Sequence, residues 1–233
     1  MKPELPEARY DEFATWYAER SAAGTWVDAT ILANIEPLIG AIDGLTILDL
    51  CCGEGRFARQ MSALGASVTA VDLSANLLDI ARSSDPDASV AWLQDDARSL
   101  HSLKDDQVQG AICLMALMDI AELASVLLAV RRVVQPGGWF VAVLTHPCFE
   151  SPAAAWTPDN RRTADRYLTE GEWYSEHSAG VRARVGAQHR TLSTYLNEAL
   201  RAGWTLDAMI EPPNLQASNP NPDIPRLLFL RFR

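Results

Sequence analysis

Between residues 45 and 146, short apolar runs alternate with amphipathic segments, and this alternation restricts the fold more than any other feature of the chain. "LTILDL" reads as a first strand, and "GRFARQMSALG" as a helix closed by Gly65. "SVTAVDL" is a second strand, after which Ser74 stands in the N-cap position of the helix "SANLLDIARSS". "SVAWLQDD" and "VQGAICLMAL" follow as a third and a fourth strand. "AELASVLLAVRRVV" carries apolar residues at i, i+3 and i+4, and "QPGG" stops it before a fifth strand, "WFVAVLTH". Strands that are almost continuously apolar and joined through helices belong to a parallel sheet buried on both faces.

The flanks read differently. Residues 1–40 place aromatic and apolar residues at helical spacing in "YDEFATWYAERSAAGTWVDATILANIEPLI". After His146 the rhythm breaks: "PCFESPAAAWTPDN" is loop-like, and the chain stays polar, aromatic and irregular up to Arg190. The alternation then resumes with a helix "TLSTYLNEALRAG", a strand "WTLDAMIEP" and a last strand "RLLFLRF". The expected fold is therefore α/β: a Rossmann-like, doubly wound, mostly parallel seven-stranded sheet with helices on both faces. We read residues 1–233 as one domain, with an N-terminal helical cap (1–40), a cofactor-binding core (41–146), a substrate-cover insertion (147–190), and a last helix with its strands (191–233). A connection as long as 147–190 is usually functional, so cap and insertion are expected to roof a site at the carboxyl edge of the sheet.

Charge narrows the partners. The formal net charge is -10, and an acidic chain repels phosphate backbones. Its densest basic stretch, "RRTADRYLTEGEWYSEHSAGVRARVGAQHR", has Glu and Asp mixed into it, so no nucleic-acid partner is expected. No run approaches the ~20 apolar residues of a membrane span, and "MKPELPEARYDEF" lacks the apolar centre of a secretory signal. The four cysteines are then expected to be reduced thiols of a cytoplasmic protein, acting as a monomer or homodimer.

Residues 49–55, directly after the first strand, stand where open parallel sheets bind ligands. Gly53 and Gly55 permit the turn and a close backbone approach, and Asp72 ends the second strand, where a carboxylate can take both hydroxyls of a ribose. A dinucleotide site has a third glycine where this chain has Ala58, a replacement such sites tolerate. The loop is acidic, however: Asp49 precedes it and Glu54 lies inside it, whereas a pyrophosphate needs N–H groups without a neighbouring anion. A ribose-bearing cofactor with positive charge and no phosphate fits better, as does S-adenosylmethionine with its ammonium and sulfonium.

Here the chain resembles the class I SAM-dependent methyltransferases, of the methyltransferase type 11 kind that acts on small molecules. "ILDLCCGEGRFA" is similar to their first motif, which usually has Gly or Ala at Cys51. "VDLSANLLDIAR" resembles the second, "LQDDARSL" the adenine-reading segment, "ICLMALMDI" the fourth-strand motif, and "AVRRVVQPGGWFVAVLTHPCF" the helix–PGG–strand element. The resemblance covers residues 10–150. It implies that Asp49 and the backbone around Gly53 and Gly55 hold the methionine part, Asp72 the ribose, and Leu73 the adenine face. Asp96 would accept the adenine amino group, Ala97 would donate a backbone N–H, the Leu114 carbonyl would help hold the ammonium, and Tyr17 would close over the methionine end. Asp49 and Asp72 also admit a purely structural reading, as loop or cap carboxylates.

Methyl transfer from a sulfonium mainly requires positioning and exclusion of water, and a base only where the acceptor must lose a proton. His146, at the end of the fifth strand, and His189, before the last helix, are the candidate substrate-site residues or bases. His177 lies in the cover, and His101 in a surface segment. Tyr167, Trp173 and Tyr174 are candidate walls of an acceptor pocket. "MALMDI" replaces the Asn/Asp-Pro-Pro-aromatic motif of enzymes that methylate nucleic-acid bases, which favours a small-molecule acceptor, through oxygen or nitrogen more than carbon. The rival readings are an NAD-dependent oxidoreductase and a catalytically silent SAM-binding regulator. Cys51 and Cys52 form a metal site only if the strand ends bring His146 and Cys148 to them. No metal is expected, and both cysteines are read as small residues that let the backbone pass close to the cofactor.

Overall fold

The computed structural model describes residues 5–87, 89–176, 180–215 and 221–233. Helix α1 (Ala14–Ala22) leads into α2 (Trp26–Ile39), which begins at a capping box: Thr25 Oγ1 accepts from the Asp28 N–H at 3.2 Å, and the Asp28 carboxylate accepts from the Thr25 N–H at 2.9 Å. The repeating part runs β1 (Thr46–Leu50), α3 (Arg56–Ala63), β2 (Ser67–Asp72), α4 (Ala75–Ser83), β3 (Val90–Gln94), β4 (Val108–Leu114), α5 (Leu123–Val133) and β5 (Val134–Thr145). Ser74 caps α4 as its sequence position predicts, accepting from the Leu77 N–H at 3.1 Å. The cover contains β6 (Gly171–Trp173), α6 (Val181–Val185) and β7 (Ala187–His189), and the chain ends with α7 (Leu192–Arg201), β8 (Leu206–Ile210) and β9 (Leu227–Phe232).

Seven strands form one sheet in the order β3-β2-β1-β4-β5-β9-β8. β1 to β5 are parallel, β9 runs antiparallel to β5, and β8 antiparallel to β9, so six strands share one direction. The order reverses between β1 and β4, which opens a crevice at the carboxyl ends of these two strands. Side chains alternate across the sheet as the pleat demands. On one face Ile47, Val68, Val141 and Phe229 pack under Ile31, Leu38, Ala58 and Met61 of α2 and α3. On the other, Leu48, Leu50, Ala111 and Phe140 pack under Val126, Val130, Tyr195 and Ala199 of α5 and α7. Helix α2 thus closes one face of the sheet, while the segment before it and α1 lie nearer the crevice.

The structure departs from the sequence reading in two places. The "QPGG" stretch is not a break before the fifth strand but lies within it: Val134 already pairs with Val108, Trp139 pairs with Gly110, and residues 135–138 stand against Gln109 alone. The cover is also not wholly irregular, because β6 and β7 form an antiparallel pair with Gly171 opposite His189. Strands of three residues carry too few positions for a period of two to be read.

Candidate active site

The chain leaves β1 through a tight turn in which Cys51, Gly53 and Gly55 all take positive φ (58°, 58° and 80°). For Cys51 this left-handed conformation costs about 1 kcal/mol, repaid by neighbouring bonds: Cys52 N–H donates to the Val71 carbonyl and Gly55 N–H to the Cys52 carbonyl, each at 3.0 Å. Asp72, at the end of β2, ties the turn down. Its Oδ2 accepts from the Gly53 N–H at 2.8 Å, and its Oδ1 from the Ser74 N–H at 2.9 Å. Each oxygen keeps a further lone pair for a ligand. The two glycines differ in what surrounds them. A Cβ on Gly53 would meet Tyr17 at 3.7 Å, so the Tyr17 ring lies over the turn. A Cβ on Gly55 would lie 2.2 Å from the Trp92 ring, so this glycine is there for Trp92, and it lines none of the three cavities along the crevice.

Asp49 sits below the turn on the face opposite Leu48 and Leu50, 2% exposed, and its Oδ2 has no hydrogen-bond partner. Burial pushes its carboxyl up to about 8, helped by the Asp72 and Glu54 carboxylates and opposed by the Ala58 N–H. Burial likewise raises Asp72, against the N–H groups of Ser74, Gly53 and Leu73. A buried carboxylate with one oxygen unpartnered, set among other acids, is a poor neighbour for phosphate and a fitting one for a cation.

Two adjoining cavities follow the crevice. One, of about 310 Å³, is walled by Asp72, Leu73, Asp96, Ala97 and the 6–10 segment. The other, of about 260 Å³, is walled by Asp49, Cys52, Glu54, Arg56, Thr145 and Arg182. They share Tyr10, Tyr17, Cys51, Gly53, Leu114 and Met115. A small third chamber, about 60 Å³, lies between Met118, Trp173, His189 and Tyr195, and shares Thr145 and Arg182 with the second.

The roof is held by residues that the sequence reading passed over. Asp119, just after β4, accepts from the Tyr10 hydroxyl at 2.8 Å and from Arg182 of α6, joining the N-terminal segment to the cover across the first two cavities. Burial raises the Asp119 carboxyl, and Arg182 and Tyr10 pull against it. Arg9 donates to the Val185 carbonyl at 3.1 Å and pairs with Glu172 at 2.7 Å. Asp11 accepts from the Ser74 hydroxyl at 2.5 Å, next to the Asp72 carboxylate. Nothing in the spacing of these residues announces the contacts, which span 63 to 176 positions.

Tyr17, Cys51, Gly53, Asp72, Leu73, Asp96, Ala97 and Leu114 all line the larger cavity, and Asp49 lines the second. Asp96 is gripped by Arg98, whose Nη2 lies 2.7 Å from Oδ2. Against the effect of burial, this guanidinium and the Arg98 N–H hold its carboxyl below the usual range. His146 is buried with both ring nitrogens engaged: Nδ1 accepts from the Cys148 N–H at 3.2 Å, and Nε2 donates to Glu211 at 2.7 Å. It lines none of the three cavities, whereas His189 lines the third. Trp173 lines the same chamber, whereas Tyr167, its ring edge-on to His189 at 6.0 Å, lines none of the three. Tyr174 is instead half-exposed, and His101 exposed. His177 lies outside the described residues. Among the described residues no group of His, Cys, Asp and Glu could hold a metal, and His146 and Cys148 do not join Cys51 and Cys52 in one.

Comparison with known proteins converges on one family. Residues 48–142 match the methyltransferase domain family. A crystal structure of an S-adenosylmethionine dependent methyltransferase from Mesorhizobium loti superposes with a TM-score of 0.75 at 30% identity, over 91% of this chain and 99% of that one. Among curated relatives, a ubiquinone biosynthesis O-methyltransferase from Alkalilimnicola ehrlichii is 32% identical over 51% of this chain and 53% of its own length. A 2-phytyl-1,4-naphtoquinone methyltransferase from Nostoc sp. is 35% identical over 42% of this chain and 45% of its own. The chain thus spans about half the length of the curated relatives it matches. With a seven-stranded sheet of this order, a glycine turn tied to the carboxylate that ends β2, and a methyltransferase relative at 30% identity over 91% of its length, the chain belongs to the class I S-adenosylmethionine-dependent methyltransferases.

Proposed function

We propose that this chain transfers a methyl group from S-adenosylmethionine to an oxygen of a small-molecule acceptor, releasing S-adenosylhomocysteine. The observation that carries the reading is Asp49: a buried carboxylate oxygen without a partner, below a glycine turn and beside a second cavity, calls for a cation. The bound cofactor supplies a methyl group already activated by the sulfonium charge. The protein has to hold, orient and dry the reactants. Asp72 accepts from the ribose hydroxyls through the lone pairs left free by Gly53 and Ser74. Leu73 packs on the adenine, Asp96 accepts its amino group, and the Ala97 N–H reads its ring. Asp49 and the Gly53 backbone, with the Leu114 carbonyl, hold the methionine end under the Tyr17 ring. Cys51 stays small so that the backbone can pass close by, and Gly55 supports the turn from below by admitting Trp92.

The choice of oxygen over nitrogen draws on the ubiquinone O-methyltransferase relatives. The acidic charge balance supports an acceptor other than nucleic acid. Four unpaired cysteines fit a cytoplasmic protein, and no helix of the described residues is long and apolar enough to cross a membrane. We take the chain to work as a single domain with cap 1–40, core 41–146, cover 147–190 and closing elements 191–233, as a monomer or homodimer. Transfer of label from methyl-labelled cofactor to a panel of phenols, alcohols and amines tests the reading. Labelled ethers are expected. Label only in amines would refute the oxygen assignment, and tight S-adenosylhomocysteine binding with no transfer would favour a silent binding protein.

A further inference from the structure

We infer that the small third chamber holds a carboxylate borne by the methyl acceptor, so that the acceptor is a hydroxy acid anchored by its anionic end, with its hydroxyl toward the cofactor. This rests on the methyl-transfer reading above. Arg190 lines the chamber and is 8% exposed. Its guanidinium donates to the carbonyls of Leu117, Ile120 and Ala121, at 3.1, 2.5 and 2.7 Å. Among the described residues no carboxylate pairs with it. The carbonyls satisfy its N–H groups but leave a buried charge without a counterion. Asp49 is the opposite case at the cofactor turn, a buried carboxylate oxygen open to a cation.

Charge around the chamber runs against that of the whole chain, which has 20 Lys and Arg against 30 Asp and Glu. The chamber wall carries Arg182 and Arg190 against Glu150 alone. Glu150 in turn holds two further guanidiniums, Arg162 at 3.1 Å and Arg226 at 2.7 Å. Arg182 is paired with Asp119, and Glu172, next to Trp173, is paired with Arg9. Glu170, the other carboxylate close by, is exposed and accepts from Thr191 and Thr194. The carboxylates buried around the chamber are thus each taken by a guanidinium, and Arg190 is the cation left over.

The place of the chamber sets the pose. It shares Thr145 and Arg182 with the second cavity, which reaches the cofactor turn at Tyr17, Cys51 and Gly53. An acceptor anchored in the chamber extends past Thr145 and Arg182, and its far end meets the turn where the two larger cavities join. At about 60 Å³ the chamber has several times the space that one water needs, enough for a carboxylate and the carbon that bears it. Tyr195, its ring centre 5.7 Å from the Arg190 guanidinium carbon, adds a hydroxyl donor to the wall. Met118, Pro147 and Trp173 close the rest with apolar surface, against which a charge pair is stronger than in water. Glu150 in the same wall favours a singly charged carboxylate over a doubly charged phosphate.

The test sets three hydroxy acids of increasing length, para-hydroxybenzoate, para-hydroxyphenylacetate and para-hydroxyphenylpropionate, beside their carboxamides. Calorimetric titration into the S-adenosylhomocysteine complex of the wild type is expected to show at least one acid binding about tenfold or more tighter than its amide, as a hydrogen bond to a charged group would give. Methyl transfer should follow the same order in kcat/KM, with a methyl ether as product. Arg190→Gln should lose the preference for the acid while binding S-adenosylhomocysteine within about twofold of wild type, and Arg190→Lys, which keeps the charge, should retain part of the preference. If Arg190→Gln does not fold, the wild-type comparison decides alone. An advantage below about tenfold for all three acids in the wild type, or one that survives in a folded Arg190→Gln, would overturn the inference and leave the cofactor reading intact. A base-labile methyl ester as product would put the carboxylate at the cofactor instead of in the chamber, and would overturn it as well. Failure of the wild type to bind S-adenosylhomocysteine would instead overturn the reading on which the inference stands.

Discussion

If Asp49 holds the cationic end of the cofactor as proposed, cofactor binding is a proton-releasing event. With its carboxyl pushed up to about 8 by burial, Asp72 and Glu54, only about one chain in ten carries the ionised form at pH 7. A cationic ligand needs that form. If the complex holds Asp49 ionised throughout, the fraction of competent protein rises about ninefold from pH 6 to pH 7, a gain of about 1.3 kcal/mol. Over this range an α-ammonium with pKa near 8 stays largely charged, so the ligand itself contributes little to the change. Calorimetric titration with S-adenosylhomocysteine at pH 6, 6.5 and 7, in buffers of different ionisation heat, should show affinity rising with pH and about 0.9 proton released at pH 7. Asp49→Asn should flatten both. The same group bears on stability with the opposite sign. Its folded pKa lies above the unfolded value, so its contribution is fully present below about pH 4 and is lost as pH rises toward 8, with a slope of at most about 1.4 kcal/mol per unit. The Asn variant should therefore gain on the wild type as pH rises. Equal affinities across the range with no proton released, or an Asn variant with the wild-type slope, would refute the reasoning.

Gly55→Ala places a methyl group at positive φ and into the Trp92 ring, which Asp85 holds through the indole N–H at 3.0 Å. About 2–4 kcal/mol of stability should be lost, and adding Trp92→Leu should recover part of it, measured as a non-additive term in urea unfolding. Additive losses would mean that Trp92 is not what Gly55 accommodates. Asp119→Ala removes the carboxylate shared by Tyr10 and Arg182. It should cost about 3–5 kcal/mol and open the N-terminal segment to limited proteolysis near Arg9. A variant as protease-resistant and as stable as wild type would contradict the roof described above.

The seven strands were legible because each is a nearly unbroken apolar run, and the turn was legible because Gly53 and Gly55 directly follow one of them. Ser74 as a cap could also be read locally. What could not be read depends on distant partners. Nothing near Gly55 points to Trp92, so its need for space looked like a need for a ligand. His146 stands at a strand end where a base could be, and only Glu211, 65 positions on, and the Cys148 N–H reveal that its nitrogens are engaged. His189 could be nominated but not oriented, because its tautomer is set by a carbonyl 22 positions earlier in a segment without periodicity. The paired cysteines looked like chemistry, yet the nearest carboxylates give the turn its character.

Asp72 is the proposed ribose end of the cofactor site. Calorimetric titration of S-adenosylhomocysteine into wild type and Asp72→Ala, with folding checked by circular dichroism, measures this directly. A micromolar Kd in the wild type and at least a tenfold loss in the variant, about 1.4 kcal/mol, is the predicted result. Unchanged affinity in a folded Asp72→Ala variant would contradict it.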